Sequence, residues 1–326
     1  MLSSLPDIGF ELKPEIDGYL QLVPFKTNSQ GLRDREYSLE KPQNTFRVAV
    51  VGSSFALPTG VDIEQAFHTL LEDRFTERFK PVRYEFINFA VGMYNPRQVL
   101  ATLELRALAY KPDLILFTTT KPAIPHLMKK DPPHKKRKYN LAKDSGNRPM
   151  FEKTYPFFQS YFARLLEERT GHGPKTPQFH VGAFEGLIIR VVEYLKNNDS
   201  GQPEEVNSAL EQISDEETKQ FVSTHGSVLQ RLSQVKRKTG IPVVIVRLET
   251  DASDKHPIEI KVEKRIRSFG IHYLDTRDGF QGTQPSDFWI HELDPHPNWK
   301  ANEIFAREIA TFLETKDLLS TQPENL

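Results

Sequence analysis

Apolar positions along this chain come in two forms, short unbroken runs and longer helical spacings, and the two alternate. Arg47–Val51 is a short apolar run that suits a strand buried on both faces. Glu64–Arg78 carries Phe67, Leu70, Leu71 and Phe75 at helical spacing. Tyr84–Phe89 reads as a second strand, Arg97–Ala109 as a second helix, and Asp113–Thr118, "DLILFT", as a third strand. After a long interruption, Pro242–Leu248, "PVVIVRL", reads as the fourth strand. Val262–Phe269 then reads as a helix, Ile271–Leu274 as a short fifth strand and Ala301–Leu313 as a closing helix. Strands alternating with helices predict a parallel sheet covered on both faces, an α/β architecture.

Two segments break this rhythm. Residues 1–44 hold Pro6, Pro14, Pro24, Pro42, Gly9, Gly18 and Gly31 with little periodicity, and predict an irregular lead-in with one edge strand. Residues 121–240 open on "KPAIPHLMKKDPPHKKRKYN" and continue with aromatic helical patterns such as "YPFFQSYFARLLEE". They predict a helical insertion or cap between the third and fourth strands, leaving 45–120 and 241–326 as the two parts of one α/β domain. The stripe Tyr155, Phe158, Tyr161 and Phe162 reads most simply as helix core.

Charge and composition narrow the function classes. Forty-three Lys and Arg against 44 Asp and Glu leave a net charge of −1, so no global field draws the chain to nucleic acid or anionic membrane. The basic run Lys135–Lys138, with Lys129 and Lys130, reads as a solvated loop. The absence of cysteine excludes disulfides, thiolate nucleophiles and cysteine-bound zinc. No window approaches the roughly 18 apolar residues of a membrane span. The sequence as given also shows no charged start followed by an apolar signal core.

Candidate chemistry gathers at strand ends, where open parallel sheets bind ligands. In "VAVVGSSFALPTGV", residues 48–61, a buried strand runs into Gly52, Ser53 and Ser54. The stretch lacks the Gly-Lys-Ser/Thr ending of a phosphate loop and the three glycines of a dinucleotide fingerprint. Ala56 stands where a G-x-S-x-G elbow needs its second glycine. Near the other end, "FWIHELDPHPNWKANEIFAREIATFLE" places His296 between Pro295 and Pro297, with Asp294 two residues earlier. A serine, a long gap, then aspartate and histidine is a workable order for acyl transfer. "HELDPH" superficially matches the H-E-x-x-H zinc helix, but its histidines are five apart and Pro295 breaks such a helix. No metal and no cofactor are expected. Taken singly, Ser54 could be a turn or capping serine and His296 a surface loop histidine; it is the pairing that raises both.

The blocks "NSQGLRDREYSLEKPQNTFRVAVVGSSFALPTGV", "INFAVGMYNPRQ", "YKPDLILF" and "LDPHPNWKANEIFAREIATFL" together resemble the SGNH (GDSL-type) hydrolase superfamily. The branch most similar has an N-x-x-GLR lead-in and a D-x-H-P-N ending. The resemblance covers about residues 8–120 and 240–314. It implies a flavodoxin-like three-layer sandwich of about five parallel strands, and metal-free hydrolysis or transfer of acyl groups.

Carried over by position, the resemblance implies Ser54 as nucleophile and oxyanion donor, and His296 as base with Asp294 as its partner. It implies a further backbone donor at Gly92 or Met93, after Asn88. The departures are specific. Ser53 replaces the usual aspartate before the nucleophile, and the expected second-block glycine falls on Met93. The oxyanion asparagine is missing, leaving Thr119 or Thr120 in its region. Leu293 stands three before the histidine, where many members place aspartate. Asp287 and Glu292 are the other carboxylates near His296 in sequence; Asp294 is the stiffest choice because Pro295 fixes both it and the histidine.

The resulting expectation is an esterase or deacylase acting on a small-molecule or carbohydrate ester, such as an O-acyl carbohydrate. The rivals are an O-acyltransferase acting on a polysaccharide hydroxyl and a non-catalytic binding module. Relatives with this lead-in often face outward from an N-terminal anchor, so the resemblance leans to an extracytoplasmic setting. Asn28 and Arg33 are expected to tie the lead-in to the sheet.

Overall fold

The computed structural model describes residues 3, 5, 7–128, 227–291 and 294–319. The predicted aromatic stripe and lysine run, with Glu292 and Leu293, lie outside the described residues. The lead-in holds a hairpin, β1 (Asp17–Leu20) and β2 (Val23–Lys26), where one edge strand was expected. It stays apart from the main sheet because its two strands pair only with each other.

The chain then alternates through β3 (Thr45–Val51), α1 (Phe67–Arg78), β4 (Arg83–Asn88), α2 (Pro96–Leu105) and β5 (Leu114–Thr119). Beyond the undescribed stretch come α3 (Val228–Thr239), β6 (Val243–Arg247), α4 (Pro257–Ser268) and β7 (His272–Asp275). A second hairpin follows, β8 (Trp289–His291) and β9 (Asp294–Pro297), before the closing helix α5 (Trp299–Thr315). Among the described residues no helix is long and apolar enough to cross a membrane.

Five strands form one parallel sheet in the order β4-β3-β5-β6-β7. Counted along the sheet this is 2-1-3-4-5, the flavodoxin-like winding, whose ligand crevice opens between the first and third strands. Alternate residues of each strand feed two cores. Ala49, Val51, Ile115, Phe117 and Ile245 pack under α2, α3 and α4. Val48, Val50, Phe86, Leu116 and Val246 pack under α1 and α5. Each fully buried apolar side chain contributes about 1.5–3 kcal/mol.

Residues at both ends of the predicted insertion join the first core. Ile124 and Leu127 pack there from a 3₁₀ segment, Lys121–Met128, and Leu229 and Leu232 pack there from α3. The α3 helix carries its own boundaries in the sequence, a Ser227/Gln230 capping box and a left-handed Gly240 at its end.

Among the described residues the ion pairs Arg247–Glu259 and Arg47–Glu85 lie wholly inside. Arg47 Nε donates to Glu85 Oε2 at 2.6 Å, with the two side chains 0% and 3% exposed. The same guanidinium donates to the carbonyls of Ser38, Leu39 and Tyr110, so it binds the lead-in to β3 and to the turn before β5. Removing one partner of a buried pair strands the other charge, at about 3–5 kcal/mol. Arg47→Met and Glu85→Leu should each lower the urea midpoint accordingly. The double variant should lose less than the sum, because neither charge is left alone. Additive losses in the cycle would show that the two groups act independently.

Candidate active site

Strand β3 is buried at every position and ends against β5. A Cβ on Gly52 would sit 1.9 Å from Thr118 Oγ1 and 2.8 Å from Ala56 Cβ, so only glycine fits there. Thr118 holds its place by donating its hydroxyl to the Val51 carbonyl at 3.1 Å. The chain turns at once: the Ser53 carbonyl accepts from Ala56 N and Leu57 N, both at 3.0 Å. The sequence pattern predicts the next helix from Glu64. Instead, α1 starts only at Phe67, after turns and a 3₁₀ piece at Ile63–Gln65. The turn at Ser54 is therefore held by backbone bonds and tertiary contacts, not by a helix. Ser53, Ser54 and Phe55 are partly exposed while Ala56 to Thr59 are buried.

Asn88 was expected beside the oxyanion. It is buried, and its polar atoms are already used. Its Nδ2 donates to the Ala56 carbonyl at 2.8 Å and lies 3.2 Å from His68 Nδ1, while its Oδ1 accepts from Ala90 N at 2.9 Å. It braces the serine turn at Ala56. Behind it, Asp34 Oδ2 accepts from Asn88 N at 2.7 Å, and Asp34 Oδ1 stands 3.6 Å from His68 Nε2. Tyr37 donates to Glu72 Oε2 at 2.8 Å, and burial pushes the Glu72 carboxyl upward. The lead-in thus reaches the underside of the serine turn through Asp34.

The second block follows β4. Val91 N donates to the Gly52 carbonyl at 3.3 Å, which ties the two loops together. Gly92 is buried, and a Cβ there would meet only Leu57 Cδ2 at an ordinary 3.8 Å. Met93 is 42% exposed and has φ +66°, a left-handed backbone that favours glycine. The backbone thus keeps the conformation of the expected glycine although the residue is methionine.

In the third block the Thr119 hydroxyl is buried with no hydrogen-bond partner among the described residues, and the Thr119 carbonyl accepts from Leu248 N across the sheet. Thr120 is partly exposed and its carbonyl starts the 3₁₀ segment.

Strands β8 and β9 pair antiparallel, with His291 opposite Asp294. Asp294 Oδ1 accepts from the ring nitrogen Nδ1 of His296 at 2.5 Å and from the His296 backbone N at 3.1 Å. Burial pushes Asp294 up, but its hydrogen bond to His296 and the nearby His296 and His291 charges outweigh this. Its carboxyl is therefore held below the usual value. An ionised carboxylate only accepts, so Nδ1 of the ring carries a proton. The imidazole is 4% exposed, and its ring centre lies 5.5 Å from that of Phe55, the residue after Ser54. That contact brings the serine turn and the histidine hairpin together.

Two residues that sequence reasoning passed over hold the hairpin. Asn298 Nδ2 donates to the carbonyls of Asp287 and Trp289, and its Oδ1 caps α5 at Ala301 N. Asn302 Oδ1 accepts from Phe67 N at 3.1 Å and so caps α1, which has no capping side chain of its own. A third is Gln21, whose Nε2 donates to Asp294 Oδ2 at 2.9 Å. Arg33 ties the lead-in to the domain at Val61, whereas Asn28 bonds within the lead-in itself. Arg33 donates to the carbonyls of Pro24 and Val61 and lies over the Phe25 ring, and burial lowers its pKa to about 10, which leaves it charged near neutrality. Asn28 Oδ1 accepts from Gln30 N and Leu32 N.

No family model matches the chain, and no curated protein matches it. Solved structures do. A two-domain esterase active on acetylated mannans matches at 12% identity and TM-score 0.43, over 86% of this chain; the chain spans about half, 53%, of that protein. TesA matches at 14% identity and TM-score 0.42, over 84% of this chain and 99% of that one. An acetylxylan esterase of Geobacillus stearothermophilus, in a catalytic mutant form, matches at 11% identity and TM-score 0.43, over 85% and 97%.

Proposed function

We propose that the protein is a serine esterase of the SGNH type that hydrolyses an ester, with O-acyl carbohydrates as the substrate class to test first. The observation that carries this reading is the Asp294–His296 pair at 2.5 Å, set beside the serine turn by Phe55. Ser54 Oγ attacks the ester carbonyl as His296 Nε2 takes its proton. Asp294 keeps the ring in the Nδ1–H tautomer and stabilises the imidazolium that forms. The tetrahedral intermediate collapses, the imidazolium protonates the departing alcohol, and an acyl-Ser54 remains. Water, deprotonated by the same nitrogen, then releases the acid.

The oxyanion is assigned to the N–H of Ser54 and that of Gly92 or Met93, with Thr119 or Thr120 in the region where the family pattern has asparagine. Losing one such donor can cost about 10²–10³ in rate, so a modest kcat is expected.

A fluorophosphonate probe read by intact mass should add one label to the parent, mapped to Ser54. Ser54→Ala should take none. Labelling at Ser53, or no label on a folded parent, overturns the reading. Including an alcohol acceptor in an aryl-acetate assay separates hydrolysis from transfer: a constant total rate with a new ester product would mark a transferase.

Asp294→Asn should lower kcat by at least about a hundredfold, since loss of a triad aspartate can cost about 10⁴. It should also change how stability depends on pH. Asp294 sits below its ordinary 3.8 in the fold, so it contributes stability above that pH and loses it as pH falls through the folded value. The stability curve of Asp294→Asn should therefore be flatter than the parent's below about pH 4.

A further inference from the structure

The tip of the lead-in hairpin is built in a costly way. Leu20 pairs with Val23, which leaves Gln21 and Leu22 as a two-residue turn, with φ +51° and +67°. Turns of this kind normally use asparagine and glycine, because both positions are left-handed. Leu22 does not repay the strain by burial, since it is 55% exposed. What the turn does place is the Gln21 amide, which donates to Asp294 Oδ2 at 2.9 Å across 273 residues of sequence.

Gly60 makes room for this approach. It has φ +64°, and a Cβ there would lie 3.1 Å from Gln21 Cβ and 2.7 Å from Ile290 Cδ1. Three segments thus meet at one point: the lead-in tip, the loop that follows the serine turn, and β8. The lead-in does not need Gln21 as an anchor, because Arg33 and Arg47 already bind it to the domain through several carbonyls.

We propose that Gln21 is a positioning residue for the reaction: it pins the free oxygen of the Asp294 carboxylate so that the other stays in line with His296 Nδ1. With Oδ1 bonded to His296 and Oδ2 bonded to Gln21, the carboxylate can neither rotate nor swing. A neutral amide suits this task. A lysine or arginine in its place would compete for the negative charge that the imidazolium needs. Among the described residues, the other titratable group acting on Asp294 is His291, from β8. The kinetic part of the proposal rests on the Ser54–His296–Asp294 reading; the placement of the ring does not.

The test uses the full chain with Gln21→Met, which keeps length and removes the donor, and Gln21→Glu, which donates only when protonated. Circular dichroism and melting establish that each variant is folded. Gln21→Met should lower kcat by roughly 10- to 100-fold with KM little changed, the range seen when the outer partner of a functional side chain is lost. The ratio of Gln21→Glu to parent activity should fall as pH rises, because an ionised glutamate repels Asp294. In both variants the ¹⁵N shifts of the His296 ring should move toward a mixture of tautomers, a readout that needs no turnover. If the parent cleaves no ester yet the His296 shifts move in Gln21→Met, the esterase reading fails and the positioning role stands. Unchanged kcat together with unchanged ring shifts overturns the role. A raised KM at constant kcat also overturns it, because Gln21 would then touch substrate.

Discussion

Strands β3 and β5 approach each other at their carboxyl ends too closely for a side chain to come between them, and the site follows from that constraint. Thr118 is fixed by its bond to the Val51 carbonyl, so the residue leaving β3 must be glycine. With no side chain at position 52, the chain can fold back immediately, and the Ser53 carbonyl collects two amides in doing so. Asn88 draws the turn down at Ala56, and Val91 fastens it to the next loop. Ser54 and Phe55 are left on the outer side, at the crevice that this strand order opens.

The second half of the arrangement is polar and comes from the chain's two extremities. Asp34 reaches the underside of the serine turn and Gln21 reaches the Asp294 carboxylate, both from the lead-in. Asn298 and Asn302 join the histidine hairpin to the starts of α5 and α1. These are mostly single hydrogen bonds to buried partners. In such surroundings each counts for more as a geometric restraint than as stability, because an unmet buried group is costly while the net gain of meeting it is near 1 kcal/mol.

How much of this was legible depended on the range of the interaction. The sheet was readable because strands buried on both faces are continuous apolar runs, and their order in the chain constrains how they wind. Ser54, His296 and Asp294 stood out as short motifs. Asp294 and His296 are joined by a bond that spans two residues, and prolines on both sides of His296 announced a fixed backbone. Gln21, Asp34 and Asn302 gave no such sign. Each acts on a residue distant in sequence, and nothing around it distinguishes it from an ordinary surface polar residue. The hairpin at residues 17–26 was hidden for a different reason: its turn residues are Gln and Leu, which do not announce a turn. Asn88 was found by its motif but its bonds to Ala56 and Ala90 were not, since a motif fixes a position and not the direction of a side chain.

A site assembled from residues 21, 54, 294 and 296 also has a history in time. During synthesis the lead-in hairpin, the serine turn and most of the sheet emerge well before the aspartate and histidine do. The nascent chain therefore exposes Ser54 before His296 has been made. The closing helix that covers one face of the sheet follows directly on His296. Burial of that core and completion of the Asp294–His296 pair are thus linked late events, so a ribosome-bound chain lacking this helix should lack the full core.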